Sequence, residues 1–341
     1  MRTKIIPVVY VLSIGIIFCS CGEDNPSEPA NRPPVITALN AVPNSVNPLD
    51  SVMLICSATD PDGDNLNYVW TATSGSITGS ADTVKWHAPD STGIIAVSCK
   101  VTDGHGGEDQ MQTEINVEFL IPTDGLIAYW PFNGSAKDES GNGIHGTVMG
   151  AVLAPDRHGN NNAAYSFDGQ NDYIEADASK LPTAERTISV WFFANTVDNR
   201  PGVLGYGGGS TRGTTWFMGL NVNGLKSFHM SCHWLINRID YYYTSPPVGG
   251  WYHWVISTSS TGTKIYVNGS EAVSNTTFVS NTFVTGREIG IGVIASTTGS
   301  VPYTDGNVKY FNGIIDDIRI YNRALDEMEI QALYHENGWN D

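Results

Sequence analysis

Apolar residues recur at every second position along much of this 341-residue chain, the signature of strands with one buried face. Val52, Leu54 and Cys56 share one parity, and Ile95, Val97, Cys99 and Val101 share another. Each set therefore points into a core, and both cysteines point into the same one. Tyr68-Val69-Trp70-Thr71-Ala72 reads as a further strand. Ile188, Val190 and Phe192 alternate with Ser189, Trp191 and Phe193, so that strand is apolar on both faces and belongs inside a sandwich. Ile265-Tyr266-Val267 runs into Asn268-Gly269, whose tolerance of positive φ predicts a tight hairpin. Near the end, Ile314, Ile318 and Ile320 share a parity that also includes Asp316. An inward carboxylate is too costly to leave unpaired, so Asp316 needs a cation, a cluster of N–H groups or an arginine. Asp326 and Glu329 predict a capping box for one short terminal helix, with Ile330, Leu333 and Tyr334 on its buried stripe. The pattern is all-β, closed by that helix.

Turn-rich punctuation divides the pattern in two. Residues 33–120 form one strand-rich unit, Phe119 to Asp124 with Pro122 form a short linker, and 125–341 suffices for a single jellyroll. In the first unit, a Cys-Trp-Cys order on alternating strands (Cys56, Trp70, Cys99) is the mark of an immunoglobulin-like sandwich. Its pieces Ala58-Thr59-Asp60-Pro61-Asp62-Gly63-Asp64 and Val101-Thr102-Asp103-Gly104-His105-Gly106-Gly107 resemble bacterial PKD or cadherin-like repeats, which implies a spacer. The second unit carries Leu126-Ile127-Ala128-Tyr129-Trp130-Pro131-Phe132, Asp138-Glu139-Ser140-Gly141-Asn142-Gly143, Phe167-Asp168-Gly169, Thr187-Ile188-Ser189-Val190-Trp191-Phe192, Trp251-Tyr252-His253-Trp254-Val255 and Ile265-Tyr266-Val267-Asn268-Gly269. With the closing strand from Gly313 to Leu325, these landmarks resemble the LamG-like jellyroll family, of the concanavalin A-like lectin/glucanase fold.

The first twenty residues change the picture of where the chain works. Arg2 and Lys4 precede an apolar run from Ile5 to Phe18, interrupted by Pro7 and too short to span roughly 30 Å of hydrocarbon. Phe18-Cys19-Ser20-Cys21 resembles a lipobox, which implies cleavage of 1–20 as a signal peptide and lipidation of Cys21. Residues 21–32 then form an acidic, Pro-rich tether. An exported, lipid-anchored protein of the bacterial surface, on the outer membrane, is the expectation. Oxidising conditions outside the cell make a Cys56–Cys99 disulfide reasonable, with roughly 4 kcal/mol from loop closure.

The formal net charge is −17. Twelve acids against two lysines leave −10 for 33–124, and twenty acids against thirteen bases leave −7 for 125–341. With no basic cluster in either, nucleic acid is excluded as a partner, and contact with a membrane is expected only through the lipid.

Candidate chemistry is sparse. Retaining glycan-cleaving enzymes need two carboxylates about 5–5.5 Å apart. Glu175 and Asp177 stand at i and i+2, but the run Asp177-Ala178-Ser179 reads as a strand leaving for a loop. Asp316 and Asp317 are adjacent and face opposite sides, Asp317 pairing with Arg319 at the surface. There is no Gly-x-Ser-x-Gly elbow, and Cys232 alternates with Phe228 and Met230 as a core thiol. His229 and His233 lie roughly 13 Å apart along a strand and cannot share a zinc ion. Asp60-Pro61-Asp62-Gly63-Asp64 lacks the later residues of an EF-hand loop and reads as a turn. The family resemblance implies a structural calcium ion held by Asp138, Asn142 and Asp316, the alternative being a loop in which Asp138 caps backbone N–H groups. For a ligand surface, Trp216, His229, His233, Arg238 and Tyr242 offer aromatic faces beside polar groups.

These readings converge on a non-catalytic surface protein. Its jellyroll is expected to recognise a glycan or glycoprotein, with calcium assisting. Two alternatives stand beside it: an assembly lipoprotein whose jellyroll docks on another envelope protein, and a glycan-cleaving enzyme of the same fold.

Overall fold

The computed structural model describes residues 30–197, 201–208, 215–220, 227–232, 238–245, 247–276, 282–294, 301–302 and 310–339. Residues 1–20, where a signal peptide is expected, Cys21, most of the expected tether, and His233 lie outside the described residues.

Eight strands build the first unit: β1 (Val35–Val42), β2 (Ser45–Val46), β3 (Ser51–Thr59), β4 (Asn67–Ala72), β5 (Ser76–Thr78), β6 (Thr83–His87), β7 (Gly93–Thr102) and β8 (Glu108–Val117). They form two four-stranded sheets, ordered β1-β3-β6-β5 and β2-β8-β7-β4. The parity expected for β3 and β7 holds: Val52, Leu54, Val97, Cys99 and Val101 are all buried. Trp86 is wholly enclosed among them, and its Nε1–H donates to the Ser74 carbonyl at 3.0 Å.

Cys56 and Cys99 meet in this core, but as free, buried thiols rather than as the expected disulfide. A hydrogen bond joins them, and burial pushes the Cys99 thiol up to about 12. Burial therefore favours the protonated thiol at both sulfurs.

Fifteen strands follow: β9 (Leu126–Trp130), β10 (Thr147–Met149), β11 (Val152–Ala154), β12 (Ala164–Asp168), β13 (Tyr173–Asp177), β14 (Arg186–Ala194), β15 (Gly202–Gly207), β16 (Thr215–Leu220), β17 (Ser227–Cys232), β18 (Arg238–Tyr242), β19 (Trp251–Ser259), β20 (Gly262–Val267), β21 (Ser270–Asn275), β22 (Glu288–Ile291) and β23 (Asn312–Tyr321). The smaller sheet runs β10-β13-β22-β15-β16-β17-β18, and the larger runs β11-β12-β23-β14-β19-β20-β21, with β9 also paired to β23. Between them lies one core, including Ile188, Val190, Phe192, Trp216, Phe228 and Trp254.

β14 is apolar on both faces because both are covered. Its inner face meets the core, and its outer face meets the C-terminal segment. That segment is α1 (Glu327–Tyr334) followed by a single 3₁₀ turn, Glu336–Gly338. The helix begins at Asp326 with the expected capping box; Ile330 and Leu333 are buried against Val255, Tyr266 and Tyr321, and Tyr334 is buried in a stack on Trp191. The linker joins the same cluster: Ile121 packs on it, and the Tyr321 hydroxyl donates to the Pro122 carbonyl at 3.0 Å. Residues 119–124 thus belong physically to the jellyroll.

β23 departs from the expected parity. Ile318 and Ile320 are in the core, but their partner upstream is Ile315, not Ile314. In the pairing with β14, Asp316 faces Trp191 while Arg319 faces Ser189, so three residues of β23 span two of β14. This is a β-bulge, and Asp317 takes the positive φ (41°) that it requires. A one-residue insertion exchanges the faces of a strand. Asp316 consequently lies on the outer face, buried beneath the C-terminal segment rather than in the central core.

Candidate functional site

The bulge sits where the larger sheet has a gap. One edge of β23 is paired along its length to β14. The other edge is shared end to end: β12 takes residues 312–315, and β9 takes residues 318–321. Asp316 and Asp317 fall between the two and, among the described residues, have no strand beside them on that edge.

Arg157, from the loop between β11 and β12, fills this gap. Its Nη1 lies 2.8 Å from Asp316 Oδ2 and 2.5 Å from Asp317 Oδ2, with a side chain only 1% exposed. The guanidinium lies over the Trp191 ring at 4.7 Å, and Nη2 is 3.7 Å from Glu336 Oε2. Asp156 shapes the loop, since its carboxylate accepts the N–H groups of His158 and Asn160 and the Asn160 side-chain amide. Arg319 answers from the other side of the bulge, with a two-pronged pair to Glu336 (2.7 Å each) and its guanidinium 4.0 Å above the Tyr129 ring. Asp317 does pair with Arg319, at 3.8 Å, but within this buried network rather than at the surface as expected from the sequence.

Burial pushes the Asp316 carboxyl upward, and the neighbouring Asp317 charge adds to this against the opposing pull of Arg157. Desolvation likewise raises Tyr129 and keeps His253 neutral. His253 stacks on Trp191 at 4.8 Å, and its Nε2 lies 2.7 Å from the Ser189 hydroxyl.

Outside Arg157, the gap opens into a cavity of about 350 Å³. Asp316, Asp317 and Arg157 line it, with Asn133, His158 and Asn160 on its exposed rim. The arrangement offers carboxylate acceptors, amide donors and acceptors, and imidazole around one small space.

The implied calcium ligands do not gather here. Both Asp138 oxygens are taken by backbone N–H groups: Oδ1 by Tyr129 and Ser140, Oδ2 by Ile144. The Asn142 amide donates to the Ile127 carbonyl at 3.0 Å. The cation opposite Asp316 is Arg157. The three residues form no common shell, because each is already engaged with protein groups, and they do not fit a shared calcium ion.

The expected ligand surface on the smaller sheet is also largely closed. Trp216 is fully buried in the core, and His229, though on the outer face, is fully buried with its Nδ1 2.6 Å from Asp240 Oδ1. The covering chain is visible nearby: Ile294 sits directly over Gly205, whose absent side chain leaves it room. Arg238 takes its register place opposite Ser231, and Tyr242 is exposed.

At the other end of that sheet, Glu175, Asp177 and Glu288 border a second cavity of about 350 Å³. Burial, with the Glu288 charge second, raises the Glu175 carboxyl. Asp177 bonds the N–H and hydroxyl of Ser179, as expected of a strand turning into a loop. In the immunoglobulin-like unit, Asp60, Asp64 and Asp103 bring one oxygen each within 4.8 Å of one another. Asp60 Oδ1 accepts the N–H groups of Asp62 and Asp64, the turn-forming role read from the sequence.

Arg157, Asn133 and Asn160 were missed by sequence reasoning. The need for an arginine at Asp316 was legible, but nothing in the spacing selects one 159 residues away.

Residues 168–331 match the family model of the concanavalin A-like lectin/glucanases superfamily, and residues 31–116 match that of the bacterial Ig domain. No curated protein matches the chain at a significant level. Among solved structures, the chain is similar to domain 4 of AbnA, a GH43 extracellular arabinanase from Geobacillus stearothermophilus, in complex with arabinotriose. That match has 21% identity and a TM-score of 0.48, and covers 61% of this chain and 98% of the other. It is also similar to the binding domain of botulinum neurotoxin serotype G (17% identity, 61% and 50% coverage, TM-score 0.46). A third is the ligand-binding domain of botulinum neurotoxin serotype D in complex with N-acetylneuraminic acid (16% identity, 63% and 52% coverage, TM-score 0.47). The chain spans about half the length of these two toxin domains. It joins a bacterial immunoglobulin-like domain to a domain of the concanavalin A-like lectin/glucanase superfamily.

Proposed function

We propose that this protein is a surface binding protein that recognises carbohydrate through its jellyroll and carries out no covalent chemistry. Lipid on Cys21 anchors it, and the immunoglobulin-like domain holds the jellyroll away from the membrane. The observation that carries this reading is the match of residues 168–331 to the lectin/glucanase superfamily. Weak binding by one copy is offset by many copies on one surface. A glycan array probed with the full chain lacking residues 1–20 tests it, and retention of an envelope protein with a silent array would favour a protein partner instead. Metabolic labelling with a radioactive fatty acid, lost in Cys21→Ser, tests the anchor.

A second reading, hydrolysis, is favoured by one feature: Glu175 and Glu288 share a cavity on one sheet face, with the Glu175 carboxyl raised. Such a carboxyl suits a general acid. Release of reducing ends from a polysaccharide panel, abolished in Glu175→Gln, would replace the binding reading with this one.

A further inference from the structure

We infer that the sheet gap at Asp316 and Asp317 is the saccharide site of the jellyroll, and that it takes a neutral sugar residue rather than an acidic one. This inference rests on the carbohydrate-binding reading.

Four observations carry it. The cavity is built by the fold, since β9 and β12 stop short of each other along β23 and the bulge turns two carboxyl groups into the space between them. Its volume of about 350 Å³ is at the small end of ligand pockets, which suits one ring rather than a chain lying along a groove. Its lining mixes acceptors on Asp316 and Asp317 with the two-way hydrogen-bonding amides of Asn133 and Asn160, the combination that vicinal hydroxyls satisfy. Finally, Arg157 lines the cavity almost wholly buried, and while its Nη2 lies 3.7 Å from Glu336 Oε2, its Nε has no hydrogen-bond partner. A buried donor of this kind is normally satisfied, so one donor of the site is not used by the protein itself.

The charge of the lining selects the class of sugar. Asp156 and Asp317 face Arg157, the one Lys or Arg side chain among the described residues of the wall, while the raised carboxyl of Asp316 keeps its proton at neutral pH. A carboxylated or sulfated sugar would enter against this excess of acid, with little water to screen it. A metal ion is disfavoured for a different reason: Arg157 Nη1 occupies the point between the two carboxylates that a cation would take.

The test uses the full chain lacking residues 1–20 and immobilised oligosaccharides of five classes: neutral pentose, neutral hexose, N-acetylhexosamine, sialylated and uronate-containing. Asn133→Trp fills the cavity mouth from an exposed position, and Asn160→Ala removes a rim amide; thermal melting checks that each variant folds. Binding to a neutral class, weakened about tenfold or more by both variants at unchanged melting temperature, is the expected result. Neutral binding that survives both variants but is lost in Tyr242→Ala overturns the placement and leaves the binding function standing. Binding confined to sialylated or uronate chains overturns the charge argument. No binding to any class overturns both this inference and the reading on which it rests.

Discussion

Replacing Asp316 with asparagine isolates one ionisation in the middle of the larger sheet. The side chain keeps its shape, while the charge and its titration are lost. In the folded protein burial, then the neighbouring Asp317, raise this carboxyl to about 8, despite the Arg157 nitrogen 2.8 Å away. In the unfolded chain it returns to the ordinary range near 4. Between these values the folded state holds a proton that the unfolded state has released, so this group makes stability fall as pH rises. Below the unfolded value both states are protonated, and above about 8 both are ionised, so the slope vanishes at each end. One proton corresponds to at most about 1.4 kcal/mol per pH unit. Sharing of charge within the carboxylate pair lowers this, so we expect roughly 1 kcal/mol per pH unit. Urea unfolding of the full chain and of Asp316→Asn at pH 5, 6, 7 and 8, following the jellyroll transition by tryptophan fluorescence, reads the difference. The native protein should lose stability relative to the variant step by step across this range. A difference that stays constant with pH, or that grows in the other direction, would refute the assignment of a raised, buried Asp316.

Arg157→Met keeps much of the side-chain stem but leaves the buried Asp316–Asp317 pair without its cation, and should cost about 3–5 kcal/mol by chemical denaturation. A loss below about 1 kcal/mol would mean the network is far wetter than its burial implies. Beginning the jellyroll at residue 125 instead of 119 removes Ile121 from its cluster and strips the Tyr321 hydroxyl of its acceptor. The shorter domain should be less stable by about 2–3 kcal/mol, read as a lower melting temperature. Oxidising the Cys56–Cys99 thiol pair should stabilise the immunoglobulin-like domain by up to about 4 kcal/mol on the chain-entropy model, and so raise its melting temperature; a reductant-insensitive melt would show that the bond does not form.

Where strands pair without interruption, the sequence was sufficient. Val52, Leu54 and Val97 lie on the faces that their parity assigns, because period-two alternation is a direct consequence of strand geometry. The capping box at Asp326 and Glu329 was equally legible, being a local hydrogen-bond exchange over three residues. The failures share a different physical origin. The bulge at Asp317 breaks the period on which the inward assignment of Ile314 depended, and no glycine marks its positive φ. Trp216 belongs to the inter-sheet core, which its place after a glycine-rich loop did not reveal; His229 was placed correctly on a strand, but parity says nothing about which later segment covers a sheet face. Ile294 does so over Gly205, nearly ninety residues beyond the glycine. Asp138 and Asn142 carry side chains that serve a cation and a backbone turn equally well, so composition could not decide between the two uses.

The site and the misread parity are therefore one event. An unbroken β23 would place Asp316 against the apolar core, where neither Arg157 nor any described polar group could reach it. Inserting one residue turns the carboxylate outward to the seam, where the β11–β12 loop delivers a guanidinium and Trp191 supplies a face to carry it. Such a network is a weak source of stability, because desolvating two carboxylates and two arginines offsets much of their attraction. Apolar residues under α1 would close the same seam at lower cost, as Val255, Tyr266 and Leu333 do farther across the sheet. What the charged solution adds is an open, hydrogen-bonding cavity at the end of two strands. The Asp316→Asn titration measures the energetic cost of that choice, and the oligosaccharide panel measures what it is for.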